Sequence, residues 1–253
     1  MKKVGVVITC HNREQHLKRT LFSSKTIHDD CHIVVVHDGC TNPSTPTPPV
    51  TDILFIDPPN RTWVNPVVAY NKGINLLLDC HSPDIIIFQN AECYHVGDVI
   101  SYAATHITDS NYISFGCFNI DTPGDYDLAT LLKANDRGAT NKSGHAWYNH
   151  PVHRPKGYDF CAAISTSNMI KLNGFDERFK DDLGFADDDL VRRVRRLGLN
   201  LTITSPPDPF VVHQYHTRGN RRSPVQDKNR ALASTLKHTG NYRATHAITK
   251  DFV

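Results

Sequence analysis

The chain has 253 residues, which is enough for one large domain or two small ones. Apolar residues make up 39% and charged residues 21%, so the composition excludes a disordered chain and a fibrous repeat. Lysine and arginine total 28 against 26 for aspartate and glutamate, and a net charge of +2 is too small to predict a nucleic-acid partner. The apolar runs have the length of strands, so we expect no transmembrane segment and a cytoplasmic protein.

The cysteines argue against a disulfide framework. There are seven of them, an odd number, and they are widely spaced with no Cys-x-x-Cys pair. The same spacing argues against a zinc knuckle. Several of them stand beside strand-like runs, and we expect these to be small buried thiols.

Strands and helices alternate in the first ninety residues. Apolar runs rich in β-branched residues predict four strands, over 4–9, 33–36, 53–56 and 84–88. The first strand leads into a helix for which Asn12 is the expected N-cap, and another helix is predicted over 66–78. This rhythm predicts an α/β fold with a mostly parallel central sheet flanked by helices.

The second half of the chain is less regular. The predicted elements are strands over 112–118, 158–165 and 199–204 and helices over 183–197 and 221–236. The helix over 183–197 begins with carboxylates and ends with guanidiniums, which suits the helix dipole. A long polar connection over 119–153 exceeds what a structural link needs.

Polar residues follow several of the predicted strands, where ligands bind in parallel sheets. Residues 9–13 follow the first strand, 37–40 the second and 89–95 the fourth. Glu92 has amide side chains beside it, and such oxygen ligands suit a hard divalent cation that also contacts phosphate. Taken singly, each cluster is also explained by a plainer structure: a capped helix, a β-turn or a capped loop.

Taken together, these segments resemble those of a family 2 glycosyltransferase of the GT-A fold. Residues 7–13 resemble the opening strand and turn of that family, and 37–40 its Asp-Asp-Gly-Ser element. Residues 174–179 and 184–190 resemble its Gly-Phe-Asp-Glu-x-Phe and Gly-x-Glu-Asp-x-Asp-Leu segments. The resemblance covers roughly residues 3–216, and its last motif is the most specific.

Three positions depart from the family pattern. His37 stands in place of the first Asp of the second motif, and Ala186 in place of the usual Glu of the last one. The Asp-x-Asp metal motif is replaced by residues 89–92. With 63–66 and 70–73, this segment resembles a subgroup that has Gln-Asn-x-Glu at the metal position.

The resemblance implies an inverting transfer of a hexose from a nucleotide sugar, which we expect to be UDP-linked, to a hydroxyl of a glycan or glycoconjugate. It implies Asp187 as the general base, because a carboxylate can take the proton of the attacking hydroxyl. Mn²⁺ or Mg²⁺ would neutralise the diphosphate. Its expected ligands are Glu92, the only acid of its segment, and His213, with His216 as second choice.

We expect the remaining site residues to bind the two substrates, the nucleotide sugar and the acceptor. Those for the nucleotide are Thr9, His11, Asn12, Arg13, Asp38, Asn65, Asn71 and Asn90. Those for the acceptor are Trp147 and Tyr148, whose rings could stack on a sugar, and Asp188.

The resemblance also implies a single Rossmann-like GT-A domain over 1–253. We expect a nucleotide-sugar-binding half over 1–110, an acceptor and catalytic half over 111–222, and a helical tail over 223–253. A sugar nucleotidyltransferase would need a glycine-rich phosphate loop, and residues 9–13 contain no glycine. A non-catalytic domain that binds carbohydrate or nucleotide stays open, because Ala186 and the missing Asp-x-Asp would suit it.

Overall fold

The structure is a computed structural model that describes residues 2–24, 30–44, 50–120, 147–217, 227–245 and 247. Within these ranges, no helix is both long enough and apolar enough to cross a membrane. Most of the predicted connection over 119–153, and the start of the helix predicted over 221–236, lie outside the described residues.

The described strands form two sheets. The strands of the larger sheet are β1 Val4–Cys10, β2 Cys31–Asp38, β3 Asp52–Ile56, β4 Ile85–Asn90, β6 Asn111–Ser114, β9 Cys161–Ser165 and β10 Asn200–Ile203. Those of the smaller sheet are β5 Cys93–Val96, β7 Cys117–Asn119, β8 Trp147–Asn149 and β11 Phe210–His213. The larger sheet has the order β10-β6-β9-β4-β1-β2-β3, and the smaller one β5-β11-β7-β8.

The larger sheet is mostly parallel, as predicted. Only β9 is antiparallel to its neighbours β4 and β6, and every other pair in this sheet is parallel. The amino end of β9 therefore lies beside the carboxyl end of β4, where Gln89 pairs with Cys161. Because β4 comes from the first half of the chain and β9 from the second, both halves supply strands to one sheet. The division into functional halves stays a prediction.

Helices cover both faces of the larger sheet. The described helices are α1 Glu14–Ser23, α2 Val67–Cys80, α3 Val99–His106, α4 Thr166–Leu172, α5 Ala186–Arg196 and α6 Asp227–Lys237. Alternate residues of β1 point to opposite faces: Val6 and Ile8 join a core cluster with α1 and α3, whereas Val7 joins one with the other four helices. The helix α2 packs closely on β1 at Gly73, where an added Cβ would lie 2.5 Å from a methyl carbon of Val7. This layering confirms the predicted α/β class.

The structure corrects three predicted elements. The strand predicted over 112–118 is two strands in different sheets, separated at Gly116, where an added Cβ would lie 2.4 Å from the Thr204 carbonyl oxygen. The strand predicted over 158–165 begins only at Cys161. The helix predicted over 183–197 begins at Ala186, because Gly184 and Phe185 have φ values of 74° and 63° that a helix cannot contain.

Candidate functional site

The turn after β1 is tied to the turn after β2. Asn12 has a left-handed φ of 53° and is not the N-cap of α1, a position that Arg13 holds without a side-chain hydrogen bond. The Asn12 amide oxygen instead accepts hydrogen bonds from the Thr41 backbone N–H at 2.9 Å and its hydroxyl at 3.1 Å. A ring nitrogen of His11 lies 2.5 Å from the Asp38 carbonyl oxygen. The two predicted nucleotide-binding turns are thus one connected structure.

The Asp38 carboxylate is engaged within the protein. It is 1% exposed, and its oxygens lie 2.9 Å from the Trp63 indole nitrogen and 3.1 Å from Nε of Arg61. Burial raises the pKa of Asp38, and the Arg61 charge opposes that rise. Contact with a ribose or base would therefore require one of these partners to move.

Three of the predicted nucleotide-binding asparagines have different surroundings. Asn90, at the end of β4, accepts a hydrogen bond of 2.7 Å from the Tyr70 hydroxyl, and it stands next to Thr9 of β1 in the sheet register. The Asn65 backbone N–H donates to the Lys180 carbonyl oxygen at 2.9 Å. These two remain candidates for the nucleotide.

Asn71 has a structural role. Its buried amide accepts a hydrogen bond from the Phe175 backbone N–H at 2.8 Å and donates to the Phe175 carbonyl oxygen at 2.9 Å and to Glu177 at 3.0 Å. The Phe175 ring also stacks on Tyr70 of α2 at 4.8 Å. The side chain of Asn71 thus fastens α2 to the Gly-Phe-Asp-Glu segment, and its role toward a nucleotide stays a prediction without support from these contacts.

The three predicted metal ligands lie together beyond β4, β5 and β11. Glu92 accepts a hydrogen bond from Nε of Arg13 at 3.1 Å, and the same carboxylate oxygen lies 3.8 Å from Nε2 of His216. The ring centroids of His213 and His216 are 5.2 Å apart. Burial lowers the pKa of His213 to about 4, so its imidazole is neutral at physiological pH. A cavity of about 350 Å³ opens beside both histidines and Asn119.

The donor chemistry of these residues suits a divalent cation, but their ligand atoms do not all lie within 4.8 Å of one another, so Arg13 and the histidine side chains would both have to move. A carboxylate oxygen and two imidazoles, one held neutral by burial, are donors that Mn²⁺ accepts. In this structure the Arg13 guanidinium bonds to the Glu92 carboxylate, which is the group that would bind the ion. Arg13 can therefore either compete with the cation or move onto the phosphates of a bound nucleotide.

The three consecutive carboxylates at the start of α5 have three different roles. Asp189 is buried and pairs with Arg192 at 2.5 Å and with the buried Arg193 at 2.6 Å, so it is structural. Asp188 is exposed and accepts a hydrogen bond of 3.0 Å from the Tyr158 hydroxyl. Asp187 is half-buried and has no cation bound in this way among the described side chains. Asp187 thus differs in its surroundings from both neighbours, and its role as the base stays a prediction.

Asp159 is a candidate site residue that the sequence patterns do not predict. It lies between Tyr158, which contacts Asp188, and Phe160, whose carbonyl oxygen accepts from the Asn90 N–H at 3.1 Å. Burial, and after it the charge of Asp187, raise the pKa of Asp159 well above its usual range. Burial also raises the pKa of Asp187 to about 6, while a hydrogen bond from Asp159 opposes that rise. A protonated Asp159 that donates a hydrogen bond to an ionised Asp187 explains why that bond raises the pKa of Asp159 and lowers the pKa of Asp187.

The two acidic centres lie at the same end of the larger sheet. The charges of both Asp159 and Glu92 act on the hydroxyl of the buried Tyr70, which also bonds Asn90. Burial is the main reason that the pKa of Tyr70 is raised well above its usual value. The Tyr70 hydroxyl therefore stays protonated. It is influenced both by Asp159, which pairs with Asp187, and by Glu92, which pairs with Arg13.

The predicted acceptor-binding aromatics differ in exposure. Trp147 is 2% exposed and packs against Phe118 and Phe210, so its ring faces are covered. Tyr148 is half-buried, stacks on Phe160 at 5.0 Å and meets His213 edge-on. Of the two, Tyr148 is better placed to contact a sugar near the predicted metal ligands.

Comparison with known proteins gives likeness in structure only. No protein-family model matches the chain, and no curated protein matches it. The 1-349 segment of S. aureus TarS superposes with a TM-score of 0.60 at 11% identity, covering 98% of this chain and 67% of that one. The same segment in complex with UDP-GlcNAc gives a TM-score of 0.56, also at 11% identity, over 87% of this chain and 60% of that one.

A third solved structure has a different ligand set. The mannosyltransferase PcManGT from Pyrobaculum calidifontis, in complex with GDP-Man and Mn²⁺, superposes with a TM-score of 0.54 at 17% identity over 92% of this chain and 64% of that one. This chain has the GT-A fold of glycosyltransferases. It spans about two thirds of the length of these structures, and at such identities the likeness concerns the fold alone.

Proposed function

We propose that the protein is a glycosyltransferase that uses a nucleotide sugar as donor. The observation that carries the proposal is the half-buried pair Asp159 and Asp187, which shares one end of the sheet with the cluster of Glu92, His213 and His216. An acid with a raised pKa and an acid suited to a cation are the two groups that this reaction needs. The fold is the one in which the neighbours hold UDP-GlcNAc or GDP-Man.

Asp187 would be the general base of an inverting transfer. With a pKa of about 6, it is mostly ionised at pH 7.5 and is a stronger base than an ordinary carboxylate. The protonated Asp159 would hold the Asp187 carboxylate in position through their hydrogen bond. Asp188, exposed and bonded to Tyr158, would be the neighbour available to an acceptor hydroxyl.

Glu92, His213 and His216 would hold a Mn²⁺ or Mg²⁺ ion. Such an ion supplies Lewis-acid stabilisation of the charge that develops on a diphosphate leaving group. The Arg13 side chain would move from Glu92 to the phosphates. An arginine can bind a phosphate with two parallel hydrogen bonds. Thr9, Asn12 and Asn90 would line the nucleoside side, and the donor would be a UDP-hexose.

A thermal-shift screen tests the binding step. The full chain would be melted with UDP, GDP and TDP, each with Mn²⁺ and with a chelator. One diphosphate with Mn²⁺ should raise the melting temperature by roughly 5–10 °C when it is well above its dissociation constant, and by less with the chelator. If no nucleotide changes the melting temperature in either condition, the proposal fails. Binding without release of diphosphate from any sugar nucleotide would instead favour a non-catalytic domain.

A further inference from the structure

A second group of metal-ligating side chains lies beneath the turns after β1 and β2. Cys10 ends β1, Glu14 begins α1, and His37 and Cys40 flank the end of β2. One potential ligand atom from each of the four lies within 4.8 Å of all the others. Across the described residues, no other group of three or more Cys, His, Asp or Glu side chains is gathered this closely.

The polar atoms of this cluster lack adequate partners. His37 is 1% exposed, and neither of its ring nitrogens makes a hydrogen bond of good geometry with any described group, although the Cys40 sulfur lies beside the ring. One carboxylate oxygen of Glu14 is likewise buried without a hydrogen bond of good geometry to the residues that the structure describes, although the Cys40 sulfur also lies beside this carboxylate. Buried polar groups are nearly always satisfied in folded proteins, so the two together indicate a missing partner.

The geometry around the cluster is fixed by other contacts. The His37 ring stacks on Phe55 with centroids 5.2 Å apart and planes within 5°, which sets the direction of its nitrogens. The Cys40 thiol donates to the Cys10 carbonyl oxygen at 3.0 Å and accepts from the Asn12 N–H at 3.3 Å. Cys10 and Cys40 are free thiols. The sulfurs and the imidazole are thus held together before any ion binds.

The donor set decides which ion would fit. Two thiolates, an imidazole and a carboxylate favour a thiophilic cation over Mg²⁺, Ca²⁺ or Mn²⁺, and four such ligands suit tetrahedral Zn²⁺. Zinc–ligand bonds of about 2.0–2.3 Å place the ligand atoms of a tetrahedron roughly 3.3–3.8 Å apart. The cluster would need to contract by about 1 Å, which the flexible Glu14 and small rotations of the cysteine side chains allow.

We infer that Cys10, Glu14, His37 and Cys40 form a zinc site. Binding would release the protons of the two thiols, since the thiolate is the ligand form. The ion would clamp β1, β2 and α1 at the place where Asn12 bonds Thr41, so it would support the turns beneath the nucleotide site. This role goes beyond the proposed function and does not depend on it.

The test is metal binding by the full chain. Protein stripped with a chelator and kept reduced would be titrated with Zn²⁺ against a chromophoric competitor, and separately with Co²⁺. One equivalent of zinc should bind in a way that depends on the two cysteines, and cobalt should show thiolate charge-transfer absorption, which the ligands Glu92, His213 and His216 cannot give. Cys40→Ser and His37→Gln should each weaken zinc binding by about 10-fold or more. Cys31→Ser, which changes a buried cysteine of β2 outside the cluster, should leave the zinc affinity and the cobalt spectrum unchanged.

Three results would overturn the inference. They are a cobalt spectrum without thiolate charge transfer, zinc affinity that Cys40→Ser and His37→Gln leave unchanged, and a reduced protein that takes up no zinc and only forms a Cys10–Cys40 disulfide on oxidation. The circular dichroism of each variant shows whether it is folded. Because nucleotide binding is measured separately, loss of the zinc site would not be mistaken for failure of the proposed transferase.

Discussion

Two carboxylates at the same end of the larger sheet have opposite surroundings. Glu92 faces a cation, Arg13, and two histidines, whereas Asp187 faces a second acid, Asp159. The first environment pairs the Glu92 carboxylate with a cation that a metal ion could replace. The second raises the pKa of Asp187 to about 6 and so makes it a better proton acceptor. On the proposed function, the different neighbours of these two carboxylates would suit one to a cation and the other to proton transfer.

Removal of the proposed base should have the largest effect. Asp187→Asn keeps the side-chain shape but cannot accept the proton, so transfer should fall by roughly 10²-fold or more. Donor affinity should stay within about twofold, because the metal and nucleotide ligands remain. Steady-state kinetics with separate calorimetry for the nucleotide would measure both quantities.

The matched control for that variant is Asp188→Asn, which changes an exposed carboxylate one residue along the helix. Because Asp188 is proposed to contact the acceptor and not to take its proton, this variant should lose far less activity than Asp187→Asn, and its loss should appear in the KM for the acceptor. Asp189→Asn is a poor control, since it would leave Arg193 buried without its counter-ion and unfold part of the population. An active Asp187→Asn beside an inactive Asp188→Asn would contradict the assignment of the base.

Loss of the Glu92 charge should abolish the benefit of manganese. Glu92→Gln still accepts a hydrogen bond from Arg13 but is a much weaker metal ligand, so nucleotide affinity in Mn²⁺ should drop by roughly 10-fold toward the value with chelator. Asp187→Asn is the control, because its manganese dependence should be intact. If Glu92→Gln retains the full effect of Mn²⁺ on nucleotide affinity, the cation binds elsewhere.

The acid pair should set the pH profile. Transfer should rise with pH through about 6, where Asp187 ionises, and level off above pH 7. Asp159→Ala removes the donor that stabilises ionised Asp187, so its midpoint should move to higher pH. Asp159→Asn keeps an N–H donor and should move it less. Identical midpoints in wild type and Asp159→Ala would show that the two carboxyls do not interact.

The smallest expected effect is on stability. The pKa of Asp187 is raised from 3.8 in the unfolded chain to about 6, so its favourable contribution exists below pH 4 and is lost as pH rises to 6. Asp187→Asn should therefore raise the melting temperature at pH 7.5 by roughly 2–4 °C, the shift that about 1 kcal/mol produces in a chain of this size. The gain should vanish at pH 3.5. A melting temperature lowered at pH 7.5 would mean that the ionised carboxylate stabilises the fold.

The alternation of strands and helices was visible in the sequence because β1, β2 and β4 are buried on both faces and therefore nearly continuously apolar, and because the half-buried edge strand β3 still has a short apolar run. The smaller sheet could not be predicted, because its strands are three or four residues long and mix polar with apolar side chains. Asp159 was hidden for a related reason. The apolar pattern placed it inside a strand, whereas it precedes β9, which runs antiparallel and so begins where the parallel strands end.

The candidate zinc ligands show a second limit of sequence patterns. The absence of a Cys-x-x-Cys pair argued against zinc, but parallel pairing of β1 with β2 places Cys10 opposite His37, 27 positions away in the chain. In the sequence, His37 differs from the family motif, but nothing in the motif indicates a metal ligand. Its unbonded ring nitrogens are a property of the packed structure that no local spacing contains.

The release of nucleoside diphosphate from a sugar nucleotide is the most direct test of the two carboxylate roles. Wild type, Asp187→Asn and Asp188→Asn would be incubated with UDP-hexoses and GDP-mannose, in Mn²⁺ and in chelator, with candidate acceptors or water. We predict metal-dependent release by wild type, release by Asp187→Asn that is lower by roughly 10²-fold, and release by Asp188→Asn that is reduced far less. Release that is the same in chelator, or the same in all three proteins, would contradict the account.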